Sequence, residues 1–288
     1  MMKKISLIVG ETASLPKEIV EKYEMTIVPY VIYWKEGKDL PGENIFQKMR
    51  EAEKRKIDTF PKTSQPSSFV FKKIFEKELE RSENILCITL SSKLSGGFNS
   101  AFQARAMFDE KKQNRIFVFD SLNVTAGEGL FDIKAAELIK EGKEIGEILK
   151  ELKNFLPEVH IFGMVQSPKW LEAGGRISHS LAVLISKMQK IGMKPLIGLK
   201  NGVIKAVSLK MRARDIPLAL FKELKKQTRG KEIKVAIAHG DDLKSAQKLK
   251  QMIKEQIKEA EVSFLNLIDP IIGIHLGPGT LLCAWHKV

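Results

Sequence analysis

Two short stretches gather hydroxyl side chains and small residues where a loop turns into a helix. They are Pro61-Lys62-Thr63-Ser64-Gln65-Pro66-Ser67 and Ser91-Ser92-Lys93-Leu94-Ser95-Gly96-Gly97. In the first, Pro66 biases Gln65 away from helical backbone, and Ser67 is placed to cap an amphipathic helix running to Leu79. In the second, the apolar run 85–90 reads as a buried strand, and a helical pattern starts at Phe98. A strand, a hydroxyl-rich loop and a helix N-terminus in succession make an anion site, because unpaired N–H groups and the positive end of the helix dipole face the loop. Two such loops together would hold one small anionic group, a carboxylate or a phosphate. Taken singly, each loop is also what an ordinary helix cap looks like.

Three further positions carry relevant chemistry. His275 lies in Ile272-Gly273-Ile274-His275-Leu276-Gly277-Pro278-Gly279, read here as an apolar strand between glycines. There it either aims a donor at a buried anion or is a satisfied core histidine. Arg176, after Gly174-Gly175, either reaches an anion bidentately or is a surface arginine after a helix stop. Arg212, with Arg214 beside it, reads as solvated or partner-facing. The chain has no Cys/His pair at zinc spacing, no H-E-x-x-H, no phosphate-binding P-loop, no G-x-G-x-x-G and no G-x-S-x-G elbow. Its five histidines have no carboxylate beside them in sequence.

The elements that must position these groups alternate. Strands are expected at 5–9, 27–33, 85–90, 116–119, 160–165, 234–238 and 262–267, with helices between most of them. Asn44 is placed to cap a helix reaching about Lys54. Asn201-Gly202 centres a hairpin between 194–199 and 203–207. The final segment, 271–285, reads as a strand interrupted by Gly277-Pro278-Gly279. Alternation of this kind predicts a mostly parallel sheet covered by helices on both faces. Ligands in such sheets bind at the carboxyl ends of the strands, which makes Thr12, Ser95, Ser121 and Asn123 candidate rim residues. The fold class is α/β with two α/β domains, 1–157 and 158–288, divided near Leu156-Pro157-Glu158.

With 288 residues, 43% hydrophobic and 29% charged, the chain is long enough for two cores. No signal peptide or membrane-length apolar run is read. Cys87 and Cys283 sit in strand-like apolar runs and read as buried thiols in a reducing cytoplasm. The net charge of +13 favours an acidic partner or an anionic lipid surface. The lysines are interleaved with glutamates on helix faces, and no aromatic-interleaved basic strand appears, so nucleic acid is the minority reading.

Taken in order, six of these strings resemble the DegV family of bacterial fatty-acid-binding proteins. They are the first hydroxyl stretch, Leu90-Ser91-Ser92-Lys93-Leu94-Ser95-Gly96, Asp120-Ser121, Gly174-Gly175-Arg176-Ile177-Ser178, Lys194-Pro195 and His275-Leu276-Gly277-Pro278-Gly279. The resemblance implies two α/β domains with an apolar tunnel at or near their interface, holding one long-chain fatty acid. By motif, Thr63 and Ser95 would bond its carboxylate with His275 close by. Ser64, Gly96, Ser121, Arg176 and Arg212 would be further ligand or docking positions.

The family's role implies a carrier with no activity of its own. It would present the bound acid to a separate ATP-dependent fatty acid kinase, whose acyl phosphate feeds phospholipid synthesis, with no cofactor and no metal. A transient anionic membrane surface is the other implied partner. The alternative is an enzyme of small-molecule acyl or phosphoryl transfer using the same anion site. Two strings depart from the family pattern. Gly10-Glu11-Thr12-Ala13-Ser14 stands for Asp-Ser-Thr-Ala-Asp, and Ser95-Gly96-Gly97 for Ser-Gly-Thr.

Overall fold

A computed structural model describes residues 2–211 and 215–288. The chain divides into two compact units that are not collinear with it. The first comprises Met1–Val31, Ser64–Glu158 and Asn201–Val203, and the second Ile32–Thr63, Val159–Lys200 and Ile204–Val288.

The first unit is built on a four-stranded sheet in the order Thr26–Val28, Lys3–Gly10, Ser82–Thr89, Ile116–Asp120. All its pairings are parallel. Strands buried on both faces need near-continuous apolar sequence, and 5–9 and 85–88 supply it. On one face Ile8, Ile85, Cys87 and Ile116 pack against Phe71, Phe75 and Leu79 of the helix Ser68–Leu79 and against Ala101 and Ala104 of Gly97–Ala106. The intervening Leu7, Val9, Leu86 and Ile88 are buried as well. The helix Ala126–Lys140 packs on the two central strands.

Because every strand points the same way, the loops after Gly10, Thr89 and Asp120 emerge at one end and are tied together there. Ser91 N–H donates to Asn123 O at 2.8 Å, and Thr125 N–H to Thr12 O at 3.1 Å. The expected strand 27–33 is in fact two short strands, Thr26–Val28 and Val31–Tyr33. Pro29, which has no N–H for a ladder, lies in the gap.

The second unit carries a six-stranded sheet in the order Ala260–Leu267, Ile233–His239, Leu281–Lys287, His160–Met164, Met193–Lys200, Val203–Met211. Only its first pair is parallel among the registers defined. The helices Ile216–Thr228 and Leu243–Gln256 bury Leu220, Leu224, Leu249 and Ile253 against Phe162, Val235, Ile237 and Cys283. The hairpin turns on Asn201 (φ 52°) and Gly202 (φ 78°), the pair of left-handed residues that a two-residue turn demands.

Helix Ile45–Lys54, capped by Asn44, belongs to this unit. Its Phe46 ring fills the space that side chains at Gly240 and Gly273 would otherwise occupy. The segment after Asp269 corrects the sequence reading. Pro270–Leu276 is a helix, and only Leu281–Lys287 is a strand. Asp269 accepts the Ile271 N–H at 2.8 Å, and Pro270 suits the first helical position. Every residue from Ile271 to Leu276 is buried, so this stretch has no polar face to betray its period.

Candidate functional site

The two hydroxyl stretches supply one cluster to each unit. In the second unit, Thr63 ends the excursion 32–63 on the short strand Lys62–Ser64. Its hydroxyl lies 3.0 Å from His275 Nε2. His275 is 6% exposed and sits near the C-terminus of helix Pro270–Leu276. Nδ1 lies against Gly174, where an added Cβ would be only 2.1 Å away, and it has no hydrogen-bond partner. Arg176 is half-buried and donates to Gly174 O. Burial, with the nearby Arg176 charge adding to it, pushes the His275 pKa down to about 4. Burial likewise lowers the Arg176 pKa.

The role of the imidazole depends on which nitrogen carries its proton. At neutral pH it carries one proton. With the proton on Nε2, facing Thr63, no buried N–H is left without an acceptor. The threonine oxygen then accepts from His275, and its own proton points elsewhere. The opposite role, a base that takes the threonine proton, needs a basic imidazole held by a third group. Burial makes His275 weakly basic, and its Nδ1 has no hydrogen-bond partner among the described residues.

In the first unit, Ser95 precedes helix Gly97–Ala106 and accepts the Gly97 N–H at 3.3 Å. A Cβ on Gly96 would lie 2.8 Å from Gln65 Nε2, and one on Gly97 would lie 2.6 Å from the Tyr30 hydroxyl. The Tyr30 hydroxyl and Ser95 Oγ thus flank the same glycine. Beneath them is a buried polar layer in which Thr12 donates to Glu128 at 2.9 Å. Tyr30 N–H donates to the Glu11 carboxylate.

The structure thus joins Thr63, His275 and Arg176 in one cluster, and Ser95 and Gly96 in another. Ser121 is fully buried, accepting the Asn123 N–H at 3.1 Å, and so shapes the turn after Ile116–Asp120. Ser64 is exposed, with its hydroxyl on Gln65 O. Arg212 lies outside the described residues. Sequence reasoning missed Tyr30, which it read as a mid-strand residue, and took Gly174 for a helix stop when it is also the seat of the imidazole. The short bridge around Pro29 was the only signal for Tyr30. Among the described residues no group of acidic, histidine or cysteine side chains could hold a metal, and no helix is long and apolar enough to cross a membrane.

A family model described as "Uncharacterised protein, DegV family COG1307" matches residues 4–287. Protein DegV of Bacillus subtilis is 30% identical over 285 residues, covering 98% of each chain. The solved structure of DegV from Bacillus subtilis, described as a fatty acid binding protein, matches with a TM-score of 0.80 at 26% identity over 100% of both chains. A DegV family protein from Thermus thermophilus shares the fold, with a TM-score of 0.85 at 24% identity over 99% of this chain and 100% of that one.

Proposed function

We propose that this chain, which belongs to the DegV family, buries one long-chain fatty acid and offers its carboxylate to a separate ATP-dependent kinase for acyl-phosphate formation. Thr63 and Ser95 are the carboxylate's donors, and His275 holds Thr63. Arg176 and Arg212 serve the head group or the docking face. The observation that carries the reading is the Thr63–His275 pair. A neutral imidazole that donates into a hydroxyl makes that hydroxyl a donor for an anion and leaves no activated nucleophile. The relatives described as fatty acid binding proteins support the same ligand.

The energetics divide between the two ends of such a ligand. Each methylene removed from water contributes about 0.8 kcal/mol, so affinity comes from the tail. A buried carboxylate costs stability unless fixed donors meet it, and the hydroxyls are those donors. The +13 charge suits an acidic kinase face, or an anionic bilayer from which the acid is exchanged.

Mass spectrometry of an organic extract of the purified protein, against a mock preparation from the same host, tests the reading. About one fatty acid per chain is expected. A blank that persists after incubation with free C14–C18 acids would sink it. Acyl phosphate should form only when a fatty acid kinase and ATP are both added, and turnover by the chain alone with ATP or an acyl thioester would return the site to the enzyme reading.

A further inference from the structure

A serine hydroxyl has one proton to give and two lone pairs to fill. At Ser95 one lone pair takes the Gly97 N–H. The phenol of Tyr30 sits over the same glycine. The point where a Gly97 Cβ would lie is 2.6 Å from the Tyr30 hydroxyl and 3.7 Å from Ser95 Oγ. Two anchors place the ring there. Pro29 interrupts the strand just before it, and the Tyr30 N–H is tied to the Glu11 carboxylate. Glycine costs about 1 kcal/mol in a helix, yet it opens Gly97–Ala106, and any side chain at that position would take the phenol's place.

We propose that Tyr30 is a third hydroxyl of the carboxylate site, a positioning residue whose O–H donates to Ser95 Oγ. Both serine acceptors are then filled, and the one serine proton is left to donate to the carboxylate of the bound acid. The phenol keeps its proton for this throughout the working range, because burial, with the acidic Glu128 and Glu11 adding to it, raises its ionisation well above the ordinary tyrosine value. The assignment rests on the fatty-acid reading.

The test compares Kd for hexadecanoic acid and for hexadecan-1-ol, each partitioned from cyclodextrin onto the folded protein. Tyr30→Phe is expected to weaken the acid about 5–10-fold and leave the alcohol unchanged. Gly97→Ala, whose methyl displaces the phenol hydroxyl, is expected to do the same by an independent route. Tyr30→Phe/Gly97→Ser, which returns a hydroxyl to the vacated space, should recover part of the acid affinity. Equal losses for acid and alcohol would make Tyr30 a packing residue and overturn the assignment. So would wild-type acid affinity in Tyr30→Phe. Failure of the wild-type protein to bind hexadecanoic acid at all would instead overturn the fatty-acid reading, and this inference with it.

Discussion

Thr63 and Ser95 meet the same requirement with different chemistry. Each must keep its proton for a ligand, so each needs another donor on its oxygen. A buried imidazole stands at hydrogen-bond distance from Thr63, while Ser95 takes a backbone N–H, with the phenol of Tyr30 as its proposed second donor. An amide does not titrate and a phenol ionises only near pH 10 or above, whereas an imidazole changes charge in the acid range. The comparison teaches that a hydroxyl's direction is set by what fills its lone pairs. It follows that the pH sensitivity of such a site lies in the neighbours of the hydroxyl.

Removing both hydroxyls should have the largest effect. Hydrogen bonds to charged groups contribute about 1.5–3 kcal/mol each. Thr63→Ala/Ser95→Ala should therefore weaken acid binding by roughly two to four orders of magnitude while sparing the alcohol. The single variants sharpen the contrast in a second property. Thr63→Ala strands the His275 N–H in the interior and should cost about 1 kcal/mol of stability. Ser95→Ala frees the Gly97 N–H and the Tyr30 hydroxyl instead, at a cost of the same order, and leaves the His275 ring untouched. Unchanged acid affinity in the folded double variant would break the comparison altogether.

A smaller effect separates the two clusters by pH. Unfolded, His275 takes up a proton as the pH falls past 6.5; folded, it does so only near pH 4. Between those values the unfolded chain binds the extra proton, so stability falls with falling pH, by up to about 3 kcal/mol in all. His275→Gln keeps an N–H for Thr63 and does not titrate. Its urea-unfolding free energy should fall less steeply between pH 6.5 and 4 than that of the wild type. Parallel profiles would mean that His275 is not buried as a neutral ring.

How much of this was legible in the sequence follows from how local each signal is. The caps at Asn44 and Ser67 and the Asn201-Gly202 turn were readable because a few consecutive residues determine them. The parallel sheet was readable because strands buried on both faces leave unbroken apolar runs. Helix Pro270–Leu276 was not, since residues 271–276 are all buried and show no amphipathic period. The packing of residues 32–63 with the second unit depends on Phe46 finding two distant glycines, and no linker marks the crossing. Thr63, Ser95 and His275 stood out by type and by family pattern. Tyr30 and Gly174 did not, because each acts through a residue remote in sequence, Ser95 and His275 respectively.

The first unit has its own buried titrating group, and its sign is opposite. Asp132, fully buried on helix Ala126–Lys140, has no hydrogen-bond partner on either carboxyl oxygen. Burial raises its pKa well above 3.8. Above that value the unfolded chain releases the proton while the folded chain keeps it, so folding binds more protons and stability falls as pH rises. Where His275 weakens the second unit in acid, Asp132 weakens the first in base. Asp132→Asn removes the titration with almost no change in shape. It should raise the calorimetric Tm by about 2–4 °C at pH 8, less at pH 5, and leave fatty-acid affinity untouched. A gain of the same size at both pH values would mean that the carboxyl's proton is not what the unit responds to, and the opposition between the units would then rest on His275 alone.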